Sequence, residues 1–128
     1  MVRLMTHFIN VREALQTLET DPSAADEPTR RKFIFDGKHL SANIATGVGS
    51  GRALHTQSAH DEVVVVLEGQ AEFQVGHEIK VVSVGDVVFI PKNTLHGRVR
   101  ILSKTWAALS IYAPYFDRAR KNIEWAEK

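Results

Sequence analysis

The residues with the most chemistry in this chain are histidine, glutamine and glutamate, gathered between His55 and Glu62 and answered by a lone His96. On an extended strand, residues two apart point to one face, so His55 and Gln57 can reach a common point. Glu62 follows after a bend expected at Ser58-Ala59 and can enter the next strand on the same side. His96 comes after Pro91-Lys92-Asn93-Thr94-Leu95, a turn that can bring a second hairpin opposite the first. Two imidazoles and a carboxylate, completed by an amide or water, suit Fe, Mn, Ni, Co or Zn as divalent ions. By spacing alone a second reading stays open, in which these polar groups only hydrogen-bond one another.

His60 shares the face of Glu62 if the chain is already extended there. It then either supplies a further imidazole or supports a ligand from behind, and in a loop it is simply exposed. His7, His39 and His77 fall in N-terminal or turn contexts and read as surface residues. The run Gly47-Val-Gly49-Ser-Gly51 is followed by neither a GK[ST] element nor a helix, so it reads as a turn and not as a phosphate loop.

The elements that must position these groups are mostly strands. One helix is signalled, at about 10–20: Asn10 can cap it, Glu13 sits as in a capping box, Ile9 and Ala14 occupy staple positions, and Val11, Ala14, Leu15 and Leu18 share a face. Residues 22–28 read as an exposed linker. Beyond them the texture is β-branched and aromatic, with strands expected at 33–35, 40–46, 52–57, 62–67, 71–75, 79–83, 86–90, 97–102 and 105–112. Glu68-Gly69-Gln70 and Gly76-His77 read as hairpin turns. Ala71, Phe73 and Val75 face one side, Glu72 and Gln74 the other. The stretch 63–67 is apolar on both faces, which points to a homodimer covering it, or to cover by the N-terminal helix or the C-terminal segment. Trp106, Phe89, Phe73, Tyr112 and Tyr115 read first as core, with lining of an apolar pocket as the other possibility.

Composition bounds the rest. With 128 residues, 44% of them hydrophobic and 24% charged, the chain suits one globular core. No apolar run is long enough to span a membrane and no secretory signal is evident. The formal charge of +1, with basic residues scattered, argues against nucleic acid. The absence of cysteine excludes disulfides, thiolate ligands and a cysteine nucleophile, and fits a reducing cytoplasm.

Two stretches carry a family resemblance. Gly49, five residues, His55, one, Gln57, four, Glu62, six and Gly69 match the spacing of the first cupin motif. Gly85, five residues, Pro91, one, Asn93, two, His96, three and Arg100 match the second. Fifteen residues separate Gly69 from Gly85, as in compact members. The chain departs from the pattern at Gln57, where a second metal histidine is usual, at Asn93 for the turn glycine, and at Arg100 for a trailing asparagine. Asn93 tolerates a left-handed backbone; an amide oxygen at position 57 is a weak ligand. The ending Pro114-Tyr115-Phe116-Asp117 resembles that of some small cupins, where it packs beside the barrel.

The resemblance implies an all-β fold, a double-stranded β-helix or jelly-roll barrel with a short N-terminal helix. It implies a single domain over 1–128, with barrel at about 32–113 and a C-terminal segment at 114–128. It also implies a divalent transition metal at the positions of His55, Gln57, Glu62 and His96. The chemistry expected is that of a metal-dependent enzyme on a small organic substrate, non-haem iron dioxygenase-like. Metal-dependent isomerase or lyase chemistry, with Glu62 and His60 moving protons, is an alternative. So is a non-catalytic barrel that binds a sugar or effector.

Overall fold

Asn10 opens the one helix found among the described residues, α1 (Val11–Leu15), its side chain accepting from the Glu13 backbone N–H at 3.0 Å. That bond satisfies one of the donors every helix start leaves orphaned. The computed structural model describes residues 7–20, 30–47, 54–117 and 123–125. The helix is shorter than its periodicity predicts, because residues 19 and 20 form a strand, β1 (Glu19–Thr20), paired with β2 (Arg30–Asp36). Sheet hydrogen bonds claim the chain before a third helical turn can form. The expected linker at 22–28 and the glycines at 49 and 51 lie outside the described residues.

The remaining strands are β3 (Ser41–Gly47), β4 (His55–Gln57), β5 (Asp61–Val75), β6 (Glu78–Ser83), β7 (Val87–Ile90), β8 (His96–Ala113) and β9 (Ile123–Trp125), and every pairing is antiparallel. β5 and β8 organise them. Residues 61–69 of β5 pair with 106–113 of β8 in a sheet ordered β1-β2-β3-β8-β5-β7. Residues 71–75 of β5 pair with 96–101 of β8 in a second sheet ordered β9-β4-β8-β5-β6. Two sheets that share two bent strands form a double-stranded β-helix, as the sequence predicts.

The expected hairpin at Glu68-Gly69-Gln70 is corrected by this arrangement: β5 runs straight through it as one strand. The register with β8 slips between Val66 and Glu68, Gly69 and Ala71, and Glu72 and Phe73. Such bulges bend a strand without reversing it. Gly69 has φ +84°, and a Cβ there would lie 2.0 Å from the Thr105 carbonyl oxygen, so glycine is what lets the two strands cross from one sheet to the other. The expected turn at Gly76-His77 is present between β5 and β6.

Two apolar clusters follow from the period-two alternation. Val64, Val66, Ala71, Phe73, Val82, Ile90, Trp106 and Ala108 fill the space between the sheets. Leu18, Ile34, Ala42 and Ile44 form a second cluster on the outer face of the first sheet, and Val11, Ala14 and Leu15 of α1 as well as Leu67, Leu109 and Ile111 of the sheet pack against it. Phe89 and Tyr115, read from sequence as core, are exposed instead, while Phe73, Trp106 and Tyr112 are buried. No helix among the described residues is long and apolar enough to cross a membrane.

Candidate functional site

Backbone pairing assembles the site. His55 on β4 is the direct cross-strand partner of His96 on β8, and their rings stand 4.3 Å apart, centroid to centroid. Glu62 enters on β5, paired with Tyr112 on β8 and Ile90 on β7. The turn between β7 and β8, part of the second motif, is tied twice to the first: the Asn93 N–H donates to the Gln57 carbonyl at 2.7 Å, and the Lys92 N–H to the Asp61 carboxylate at 2.9 Å. Asn93 has φ +64°, a left-handed conformation that asparagine adopts more readily than most residues.

His55, Gln57, Glu62 and His96 are thereby brought together, and all but His55 are buried. The Gln57 amide nitrogen sits among the other three, 3.1 Å from Glu62 Oε1, 3.2 Å from His55 Nε2 and 3.5 Å from His96 Nε2. The Gln57 amide oxygen turns away and accepts from His60 Nε2. His60 is 1% exposed, so it lies inside the barrel behind Gln57. Its ring stands edge-on to Tyr112 at 4.7 Å and beside Phe116 at 5.1 Å. Arg100, by contrast, bonds Glu72 on the exterior. His7, His39 and His77 are exposed.

The electrostatics favour a cation. Burial pushes the Glu62 carboxyl up, but the hydrogen bond and charge of His96, then the Ser110 hydroxyl and the charge of His55, outweigh it and hold Glu62 below its ordinary range. Glu62 is therefore ionised at neutral pH. His96 Nδ1 donates to the Thr94 carbonyl at 2.8 Å, which orients the ring with Nε2 toward Glu62 and Gln57, the kind of outer support a metal-binding histidine receives. Burial lowers His60 despite the opposing charge of Glu62, keeping it neutral. Burial and then the charge of Glu62 push the Tyr112 hydroxyl well above its ordinary range, and that hydroxyl accepts from the Asn43 amide at 3.2 Å.

The donor types fit a divalent transition ion; the spacing is that of hydrogen bonds. A nitrogen held 3.1–3.5 Å from three donors stands farther off than the roughly 2.0–2.2 Å an ion takes to imidazole nitrogen or carboxylate oxygen. Accordingly, no trio of His, Asp or Glu among the described residues is drawn in around an ion position. Ser110, Asn43 and Phe33 are residues at the site that the sequence reading did not single out. Two-residue alternation back from Tyr112 would have found Ser110. Phe116 arrives through the C-terminal segment, its N–H donating to the Ser41 hydroxyl.

Residues 42–112 match the cupin domain family, and the chain belongs to it. A search of curated proteins gave no match. Among solved structures, the chain is similar to an uncharacterised protein with a double-stranded β-helix domain from Klebsiella pneumoniae (TM-score 0.70, 18% identity, 96% of this chain and 99% of that one). It is similar to KdgF from a Halomonas species (TM-score 0.66, 20% identity, 79% and 96%). It is also similar to the Streptomyces nucleoside dehydratase Pac13 (TM-score 0.64, 12% identity, 77% and 78%). At these identities the likeness is one of fold.

Proposed function

We propose that the chain is a metal-dependent enzyme of the barrel-mouth type, holding a divalent transition ion on His55, Glu62 and His96 and acting on a small organic molecule. The observation that carries this is the convergence of two imidazole nitrogens and an ionised, buried carboxylate on one point. That donor set is the one non-haem iron oxygenases use, with positions left for substrate and O₂. When bound, the ion supplies Lewis acidity and, for iron, redox chemistry. The chain's own residues do the rest. The Thr94 carbonyl orients His96, Ser110 and His96 keep Glu62 ionised, and the rings of Tyr112, Phe116 and Phe33 pack against one another beside the site.

A second reading draws on the nucleoside dehydratase among the similar structures: lyase chemistry, in which neutral, buried His60 and Glu62 relay a proton. A non-catalytic ligand-binding barrel is the third, supported by the glutamine at position 57. We further propose a homodimer. Val87 and Phe89, 63% and 60% exposed, extend the outer apolar face beyond the part that α1 covers, and a second copy would bury them.

The test of metal binding is titration of chelator-treated full-length protein with Mn(II), Co(II) or Ni(II), followed by calorimetry. One equivalent is expected, lost in His55→Ala and His96→Ala and released below about pH 6, where histidine ligands protonate. Wild-type protein that takes up no ion at neutral pH overturns the reading.

A further inference from the structure

The side chain of Gln57 is turned the wrong way for a ligand. An amide binds a cation through its oxygen, since its nitrogen lone pair is delocalised into the carbonyl. Here the NH₂ group faces His55, Glu62 and His96, and the oxygen is engaged by His60. We propose that the Gln57 amide group is a built-in occupant of the cation position, latched by His60, and that it competes with the ion for His55, Glu62 and His96. The inference rests on the metal-binding reading above and concerns what this chain does before an ion arrives.

The hydrogen inventory supports it. Glu62, when ionised, only accepts, and the His96 ring is held with Nε2 toward the cluster because its Nδ1 donates to the Thr94 carbonyl. The two N–H groups of Gln57 point into this electron-rich cluster and supply the partial positive charge it requires. At the other end of the amide the oxygen accepts, so His60 Nε2 carries the proton and His60 Nδ1 is bare. Nδ1 is buried without a hydrogen-bond partner, an acceptor left idle, which costs less than an idle donor would. Tyr112 and Phe116 pack the His60 ring in place. If the amide turned over with His60 unchanged, N–H would face N–H. The latch therefore holds the one ligating atom of Gln57 away from the ion position, and an incoming ion must displace the amide.

The alternative is that Gln57 is an ordinary fourth ligand, and the two differ in sign. Removing a ligand weakens metal binding; removing a competitor tightens it. The measurement is the dissociation constant of Mn(II) and Co(II) for wild type, Gln57→Ala and His60→Leu, together with the midpoint of thermal unfolding with and without saturating metal. Gln57→Ala is expected to melt lower than wild type without metal, to bind about tenfold more tightly, the equivalent of one lost hydrogen bond, and to gain more from metal. His60→Leu releases the latch while keeping the amide and is also expected to bind more tightly, a direction that mere structural damage would not produce. It provides the same test should Gln57→Ala fail to fold. Weaker or unchanged binding in the variants that fold, with wild type binding one equivalent, overturns the competitor role and leaves the metal site standing. Failure of wild type and both variants to bind overturns the metal reading, and the competitor role with it.

Discussion

Replacing Glu62 with glutamine in the metal-free protein isolates what the buried charge contributes to the fold. Glutamine has nearly the shape of a protonated glutamate, so the substitution mimics neutralisation at constant volume. Glu62 accepts from the Gln57 amide at 3.1 Å, and a hydrogen bond to a charged group contributes about 1.5–3 kcal/mol. Glutamine can still accept that bond as a neutral group, for about 0.5–1.5 kcal/mol, so a loss of about 1 kcal/mol at pH 7 is expected for Glu62→Gln. For a 128-residue chain the unfolding entropy is roughly 0.27 kcal/mol/K, which turns this into a Tm about 4 °C lower. The pH dependence gives an independent check. The folded-state pKa of Glu62 lies below its ordinary value of 4.5, so as pH falls the unfolded chain takes up the proton first. The stabilisation is complete above that ordinary value and is lost as pH falls through the folded one. Urea unfolding followed by circular dichroism, with chelator present, should show a constant gap between wild type and variant from pH 7 to about pH 5, closing below. No gap at pH 7, or one that survives acidification unchanged, would refute the argument, the second outcome assigning the effect to packing.

Asn93→Gly should leave stability within about 0.5 kcal/mol of wild type, whereas Asn93→Val should cost about 1–2 kcal/mol by forcing a branched side chain to φ +64°; chemical denaturation decides between them, and equal values would contradict the strain argument. Sedimentation velocity should find the wild type dimeric and Phe89→Glu monomeric. A monomeric wild type would end the dimer proposal.

The barrel was anticipated through the resemblance of the two motifs to those of a known family, whereas two-residue periodicity by itself placed strands and left the polar cluster around His55, Glu62 and His96 open to two readings. The course of β5 through Gly69 was not legible in the same way. A glycine between two apolar strands is compatible with a turn and with a bulge, and only pairing with distant Trp106, beside the close Thr105 carbonyl, makes it a bend. The helix was overestimated because Leu18 fits its periodicity while its neighbours at 19 and 20 are taken by β2. Position 57 was recognisable as a departure, but the direction of its amide depends on His60, which spacing left divided between loop and site. Phe89 and Tyr115 show the limit of composition: an aromatic side chain in a strand signals an apolar face without saying whether that face is covered.

Because β5 and β8 each belong to both sheets, the two halves of the molecule are joined by continuous backbone at its middle and cannot part like the valves of a shell. Adjustment around the histidines thus falls to rotations of individual side chains such as Gln57. The same joinery implies that the centres of β5 and β8 release their amide protons to solvent only when the whole chain unravels, so that slow exchange there would report global stability rather than breathing at the mouth.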